Sequence, residues 1–320
     1  MKLAVVGTGM IVRDFLPVAS DVPGMVLRAI VGRASSRETV EELRERHGIE
    51  RAYLDLDECL ADPEVDTVWV ALPNALHAQT ARRALLAGKH VICEKPFVLH
   101  LDELDELQAL ATERDLVLVE AITNQYLANY RAIAERLPEL GRLRLVQSVY
   151  SQYSSRYDAF RAGQVLPSFD PAVGGGALWD LGIYPLHLVV GLLGRPRSVR
   201  YTANVERGVD TSGVVVLEYD GCTAVCVCAK DSAGHSLTTI QGEDGTIVMD
   251  GAPNICGGFD VRLRGGPAER VDRTVHEHRM VEEFRAFERM IRERDVAERD
   301  RRLDHSRLVL EVAIEARASL

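Results

Sequence analysis

Short apolar runs alternate with helix-periodic stretches through the first 120 positions. Leu3–Val6, Met25–Val31, Thr67–Leu72, Lys89–Cys93 and Leu116–Val119 read as strands. Between them lie a helix running through Phe15 and Leu16, an arginine-rich one over Ser36–His47, and helices over Ala75–Ala87 and Leu101–Thr112. Strands that are apolar on both faces and separated by helices predict a parallel sheet covered on both sides, a doubly wound Rossmann-type α/β domain.

The pattern changes after about residue 120. A helix is expected over Tyr126–Leu137 and an alternating strand over Leu143–Tyr153. A glycine-rich loop, Gly174-Gly175-Gly176, then opens a helix to about Leu193. The runs Ser198–Val205, Gly213–Tyr219, Thr223–Ala229, Ser236–Gln241, Thr246–Met249 and Val261–Arg264 follow without intervening helices, several of them divided by Asp-Gly turns. Helices over Glu277–Arg292 and Leu303–Ala318 close the chain. The second half is therefore predicted to be an α+β domain with a large, mostly antiparallel open sheet, and the division is placed at 1–120 and 121–320.

At 320 residues two domains are expected. A hydrophobic share of 47% and a charged share of 27% fit a globular chain, and a net charge of −10 argues against a nucleic-acid partner. No run is expected to span a membrane, and the start, Met1 to Gly7, does not read as a signal peptide, so a cytoplasmic protein is expected. The six cysteines show no metal-type spacing and read as buried reduced thiols; no metal is predicted.

Candidate chemistry concentrates at strand ends. Gly7-Thr8-Gly9 sits where the first strand meets the first helix. There the first glycine permits a tight turn, and the second lets backbone approach a pyrophosphate, with Met10 and Ile11 opening the helix behind it. The second strand runs into Gly32-Arg33-Ala34-Ser35-Ser36-Arg37, with no carboxylate before Glu38. Arg33, Ser35 and Arg37 thus form a candidate cradle for a 2′-phosphate, favouring NADP with NAD as the alternative. Cys93-Glu94-Lys95-Pro96 puts a lysine at the carboxyl end of a buried strand, the edge where open α/β sheets bind ligands. Only four of the 38 basic residues are lysines (Lys2, Lys89, Lys95, Lys230), so an amine at this place is a chemical choice.

Together with Leu72-Pro73-Asn74-x-x-His77, Ala84-x-x-Ala87-Gly88-Lys89-His90-Val91, Gly174-Gly175-Gly176-Ala177-Leu178-x-Asp180-x-Gly182-x-Tyr184 and the closing Leu303-Asp304-His305-Ser306, these motifs resemble the glucose–fructose oxidoreductase/inositol dehydrogenase family (Gfo/Idh/MocA) over nearly the whole chain. The resemblance implies a nicotinamide lying over a domain interface and Lys95 touching both its ribose and the reacting oxygen. It also implies Leu72, Pro73 and Asn74 lining the nicotinamide, His77 packed near them, and Glu94 along the cofactor. Val12 stands in place of a third glycine, Tyr184 where sugar and inositol dehydrogenases often carry histidine, and Asn124-Gln125-Tyr126 where many members carry an arginine–tyrosine pair.

Asp180, Tyr184 and His187 share one face of a continuous helix, unless Pro185 kinks it. Hydride transfer needs a proton at the substrate oxygen, so Tyr184 is the candidate acid/base with Lys95 favouring its phenolate. The alternative gives Lys95 the proton and Tyr184 a positioning role. Asp180, His187 and Asn124 are candidate substrate contacts, with Asp180 alternatively holding Lys95 charged, while Tyr184 and His187 also read as ordinary core residues. The expected activity is interconversion of a secondary alcohol and a carbonyl on a small sugar, polyol or cyclic diol. Rivals are a non-catalytic NADP-sensing regulator and an NAD-dependent glycosidase. A homodimer or homotetramer through the second sheet is expected, and substrate identity is assigned to loops such as Arg156–Phe169.

Overall fold

The computed structural model describes residues 1–320. The chain divides into two compact units, Met1–Ala121 with His278–Arg307 and Ile122–Glu277 with Leu308–Leu320. The single cut expected near residue 120 left both closing helices in the second unit, whereas His278–Arg307 groups with the first.

The first unit carries β1 (Lys2–Val6), α1 (Met10–Phe15), β2 (Val26–Val31), α2 (Arg37–His47), β3 (Arg51–Tyr53), α3 (Leu56–Leu60), β4 (Thr67–Val70), α4 (His77–Leu86), β5 (His90–Glu94), α5 (Leu101–Glu113) and β6 (Leu118–Ala121). The strands form one sheet in the order β3-β2-β1-β4-β5-β6, and every pairing is parallel. This is the doubly wound Rossmann order, with its switch point between β1 and β4. The strands are buried on both faces, which explains their unbroken apolar runs.

Helix α9 (Arg279–Glu293) returns to this unit with Met280, Val281, Phe284, Phe287, Met290 and Ile291 buried. Phe284 stacks on Phe15 at 3.9 Å between ring centroids, and Trp69 meets both rings edge-on at 5.4 and 5.1 Å. Such contacts add about 0.5–1.5 kcal/mol each beyond area burial. Val12 is fully buried, so the place of a third glycine is taken by a core side chain.

The second unit contains α6 (Ala128–Arg136), β7 (Leu143–Ser151), α7 (Tyr157–Arg161), α8 (Ile183–Leu193), β8 (Ser198–Glu206), β9 (Val209–Tyr219), β10 (Cys222–Ala229), β11 (Leu237–Gly242), β12 (Gly245–Asp250), β13 (Phe259–Leu263) and β14 (Ala268–Val271). The last helix, α10 (Val296–Ala318), begins in the first unit and ends in this one. The strands form one eight-stranded sheet, β14-β13-β12-β11-β7-β10-β9-β8. Only β7 and β10 pair in parallel; the other neighbours are antiparallel.

Pro171–Leu193 corrects the expectation that no stretch is long and apolar enough to span a membrane. It is so by length and composition, but 72% of its most apolar window is buried. It packs on β7 and β10 as a core segment of this unit.

Candidate active site

In the first unit the carboxyl ends of β1, β2, β4 and β5 carry the predicted cofactor residues. Gly7 has φ +126, and a Cβ there would lie 2.2 Å from the Ala71 carbonyl oxygen, so only glycine allows the chain just beyond β1 to pass this close to the chain just beyond β4. A Cβ on Gly9 would meet nothing within 4 Å. The turn is thus open at the start of α1, whose first N–H groups have no acceptor within the helix. Thr8 and Ile11 are half-buried and Met10 is exposed. These features fit a dinucleotide pyrophosphate.

Beyond β2, a Cβ on Gly32 would come within 2.4 Å of Val40 and 2.9 Å of the Ser36 hydroxyl. Position 32 therefore has no room for a side chain, a carboxylate included. Arg33, Ser35 and Arg37 are exposed at the following turn, where Ser36 Oγ donates to the Arg33 carbonyl. An exposed pair of guanidinium groups with no carboxylate ahead of them suits a phosphate.

His77 is wholly buried, with Nδ1 2.9 Å from the Pro96 carbonyl and Nε2 2.8 Å from the Leu72 carbonyl. It bridges the Leu72-Pro73-Asn74 turn after β4 to the Lys95-Pro96 turn after β5. Burial holds its pKa below the usual value, although both carbonyls favour the charged ring. The neutral ring donates to one carbonyl at a time. Lys95 is half-buried, and the Lys95–Pro96 peptide is cis.

Glu94 is 8% exposed and accepts a hydrogen bond from Trp69 Nε1 at 3.1 Å. Burial pushes its pKa up to about 7, against the opposing pull of the Lys95 charge and the Trp69 N–H. Glu120, one strand away, accepts from the Phe97 amide at 3.0 Å. Glu283 on α9 is buried, and that burial, with the charges of Glu94 and Glu120, holds it well above the usual carboxylate range. The sheet edge beneath Lys95 is therefore a low-dielectric, acid-rich floor.

In the second unit the glycine-rich loop is fixed by Asp210. This wholly buried carboxylate accepts from the Leu178 amide at 2.7 Å, the Tyr201 hydroxyl at 2.8 Å and Arg317 Nη1 at 2.8 Å. Gly176 has φ +127, and a Cβ there would lie 2.1 Å from Asp210 Oδ1. Leu178–Gly182 is a π-helical turn running into α8. The expected continuous α-helix is thus widened just ahead of Pro185, which cannot donate and crowds the preceding turn.

The π turn carries Asp180 and ends next to Tyr184. Tyr184 is 7% exposed, its ring 5.9 Å from that of Tyr150 in an edge arrangement. Asn124, expected to touch substrate, is wholly buried and donates its amide to the Tyr184 carbonyl at 3.0 Å. Gln125 does the same to the His187 carbonyl at 2.8 Å, and His187 is 1% exposed. Asn124 and Gln125 therefore anchor the helix.

Sequence reasoning assigned no role to Lys230, whose Nζ lies 2.9 Å from Asp180 Oδ2. The available signal was its place directly after β10 as one of four lysines. Asp210 gave no sequence signal, because its partners come from β8, α10 and the π turn.

These features define a nicotinamide-nucleotide oxidoreductase. Residues 1–122 match the family model for the oxidoreductase family with an NAD-binding Rossmann fold, and residues 131–248 match the GFO/IDH/MocA C-terminal domain. The chain belongs to the Gfo/Idh/MocA oxidoreductase family. It is 35% identical to the scyllo-inositol 2-dehydrogenase (NADP(+)) of Bacillus subtilis, over 100% of this chain and 97% of that one. It is 32% identical to the trans-1,2-dihydrobenzene-1,2-diol dehydrogenase of Oryctolagus cuniculus, covering 75% of this chain and 73% of that protein. Among solved structures, a 3-ketoreductase from Actinomadura kijaniata with NADP and TDP-benzene shares the fold, with a TM-score of 0.86 and 24% identity over 100% of this chain and 97% of that one.

Glu94 supplies a pH test. Its folded pKa of about 7 lies above the ordinary 4.5, so the folded protein holds more protons between those values and stability falls as pH rises. The Glu94 share is complete below about pH 4.5 and lost as pH passes about 7. Glu283 acts in the same direction and extends the fall upward. Urea unfolding of Glu94→Gln between about pH 5 and 8 is expected to show a shallower decline than the parent. Identical slopes would mean that Glu94 is ionised throughout.

Proposed function

We propose that the protein is an NADP-dependent dehydrogenase or reductase that interconverts a secondary alcohol and a carbonyl on a small sugar, polyol or cyclic diol. The observation that carries this is the grouping at one sheet edge: the Gly7 turn, the exposed Arg33 and Arg37 beside a Gly32 with no room for a carboxylate, and a half-buried Lys95 whose turn is pinned by His77. The names of its relatives support the reading, since the Bacillus subtilis protein and a D-xylose 1-dehydrogenase (NADP(+)) of Haloferax volcanii are both described with NADP(+).

Bound NADP supplies or accepts the hydride at its nicotinamide ring. The protein's own part is to hold the substrate oxygen and move one proton. Lys95 places a positive charge where negative charge develops on that oxygen, and the apolar strand behind it keeps that charge effective. Tyr184 carries the proton. Asp180 binds a substrate hydroxyl. Six buried free thiols suit the reducing cytoplasm expected for the protein.

A homo-oligomer through the second sheet completes the proposal. One face of that sheet carries Leu145, Val214, Val216, Val225, Val227 and Val248, with Gln147, Thr223 and Thr239 between them. Leu145 and Val248 are 39% and 38% exposed, an apolar strip of the kind that pairs with a second copy.

Lys95→Met is expected to abolish turnover while NADPH binding stays measurable by fluorescence. Tyr184→Phe is expected to lower kcat at least about 100-fold; a loss confined to KM would leave the tyrosine a positioning role. Arg33→Ala is expected to weaken NADP by about tenfold or more and NAD much less, and equal losses would refute the phosphate cradle. Sedimentation of Val225→Glu is expected to give a species near the chain mass of 35.4 kDa; an unchanged larger mass would place the interface elsewhere.

A further inference from the structure

Lys230 is 1% exposed, an unusual place for an ammonium. Its backbone is fixed on both sides, the amide donating to the Thr211 carbonyl at 2.8 Å and the carbonyl accepting from Ser154 at 2.9 Å. Its Nζ donates to the Ser168 carbonyl and lies 4.1 Å from the centre of the Phe169 ring. Phe169 stacks on Phe160 at 4.8 Å, and Tyr157 packs against both, so the segment expected to set specificity is built onto this lysine. The ammonium also lies 2.9 Å from Asp180 Oδ2.

The pair is asymmetric. The lysine is enclosed, while the Asp180 side chain is 37% exposed. A buried ammonium needs a compensating anion, carbonyl or ring face, and Lys230 has one of each. The aspartate faces a different situation. On a π turn a half-exposed carboxylate has more than one rotamer open to it. The lysine holds one of its oxygens. An ionised carboxylate accepts hydrogen bonds only, so what it recognises is a hydroxyl.

We propose that Lys230 is a positioning residue which holds the Asp180 carboxylate for a second substrate hydroxyl, so that a diol is favoured over the matching simple alcohol. The proposal rests on the dehydrogenase reading above and deepens it. The charge, the aromatic shelf and the carboxylate form one unit, so a change in the loop from Tyr157 to Phe169 reaches Asp180 through Lys230.

The test compares trans-1,2-cyclohexanediol with cyclohexanol as substrates with NADP, in the parent protein, Lys230→Met, Asp180→Asn and the double variant. The parent is expected to favour the diol by about tenfold or more in kcat/KM, the worth of one charge-assisted hydrogen bond. Lys230→Met is expected to raise the diol KM about tenfold with kcat changed less than about threefold, erasing most of the preference. The double variant is expected to match Asp180→Asn, because both changes remove the same contact. A Lys230→Met variant that keeps the diol preference, or loses kcat on both alcohols alike, would overturn the proposal.

Diol binding to the NADP-loaded protein by calorimetry provides an arm that needs no turnover. If the parent oxidises neither alcohol, the dehydrogenase reading fails for this class, and an affinity about tenfold weaker in Lys230→Met would still support the lysine's role. Equal affinities, or a parent that binds no diol, would end it. Unchanged NADPH binding in each variant reports that the chain is folded.

Discussion

The arrangement in the second unit depends on one buried carboxylate. Asp210 holds the Leu178 amide, the Tyr201 hydroxyl and the Arg317 guanidinium, joining the start of the π turn to β8, β9 and the end of α10. Removing one member of a buried ion pair typically costs about 3–5 kcal/mol, more than any single surface contact. The same carboxylate dictates the glycine at 176, since any Cβ there would collide with it. Asp180 and Tyr184 inherit their positions from this anchor, and Asn124 and Gln125 fix the next turn by holding its carbonyls. The first unit follows the same logic at Gly7, where the Ala71 carbonyl leaves no space for a side chain.

Charge is distributed unevenly in this arginine-rich chain. Only Lys2 of the four lysines lies on the surface, paired with Glu64. Lys89 is buried, donating to the carbonyls of Asp62 and Val65, and Lys230 is enclosed by Ser168, Phe169 and Asp180. A slender ammonium fits such interior places where a planar guanidinium would need more room and more acceptors. Lys95, half-buried over a floor of buried glutamates, is the remaining one.

Most of the architecture was legible because its signals are local. The apolar runs of β1, β4 and β5 and the glycine turn after β1 give a parallel sheet directly, and the Asp-Gly turns announce the antiparallel one. What escaped is what tertiary packing decides. Arg51–Tyr53 and Ala268–Val271 are edge strands whose charged, solvent-facing residues carry no strand period. Helix α9 is plainly amphipathic, but nothing in its sequence says that Phe284 stacks on Phe15 rather than on the second sheet. The site was half visible. The glycine turn, Arg33, Lys95, Asp180 and Tyr184 stand out by motif, whereas Lys230 and Asp210 acquire meaning only from partners distant in sequence. The π turn was hidden too, since Asp180 and Tyr184 have the same spacing on either kind of helix.

The most direct test of the account is isotopic. NADPH carrying deuterium at C4 of its nicotinamide, incubated with the protein and 2-hydroxycyclohexanone, should pass that label to the carbinol carbon of the diol formed. One of the two C4-deuterated epimers should transfer it and the other should not. Diol formed without label from either epimer, or oxidised cofactor appearing with no reduced ketone, would contradict hydride transfer as this protein's chemistry.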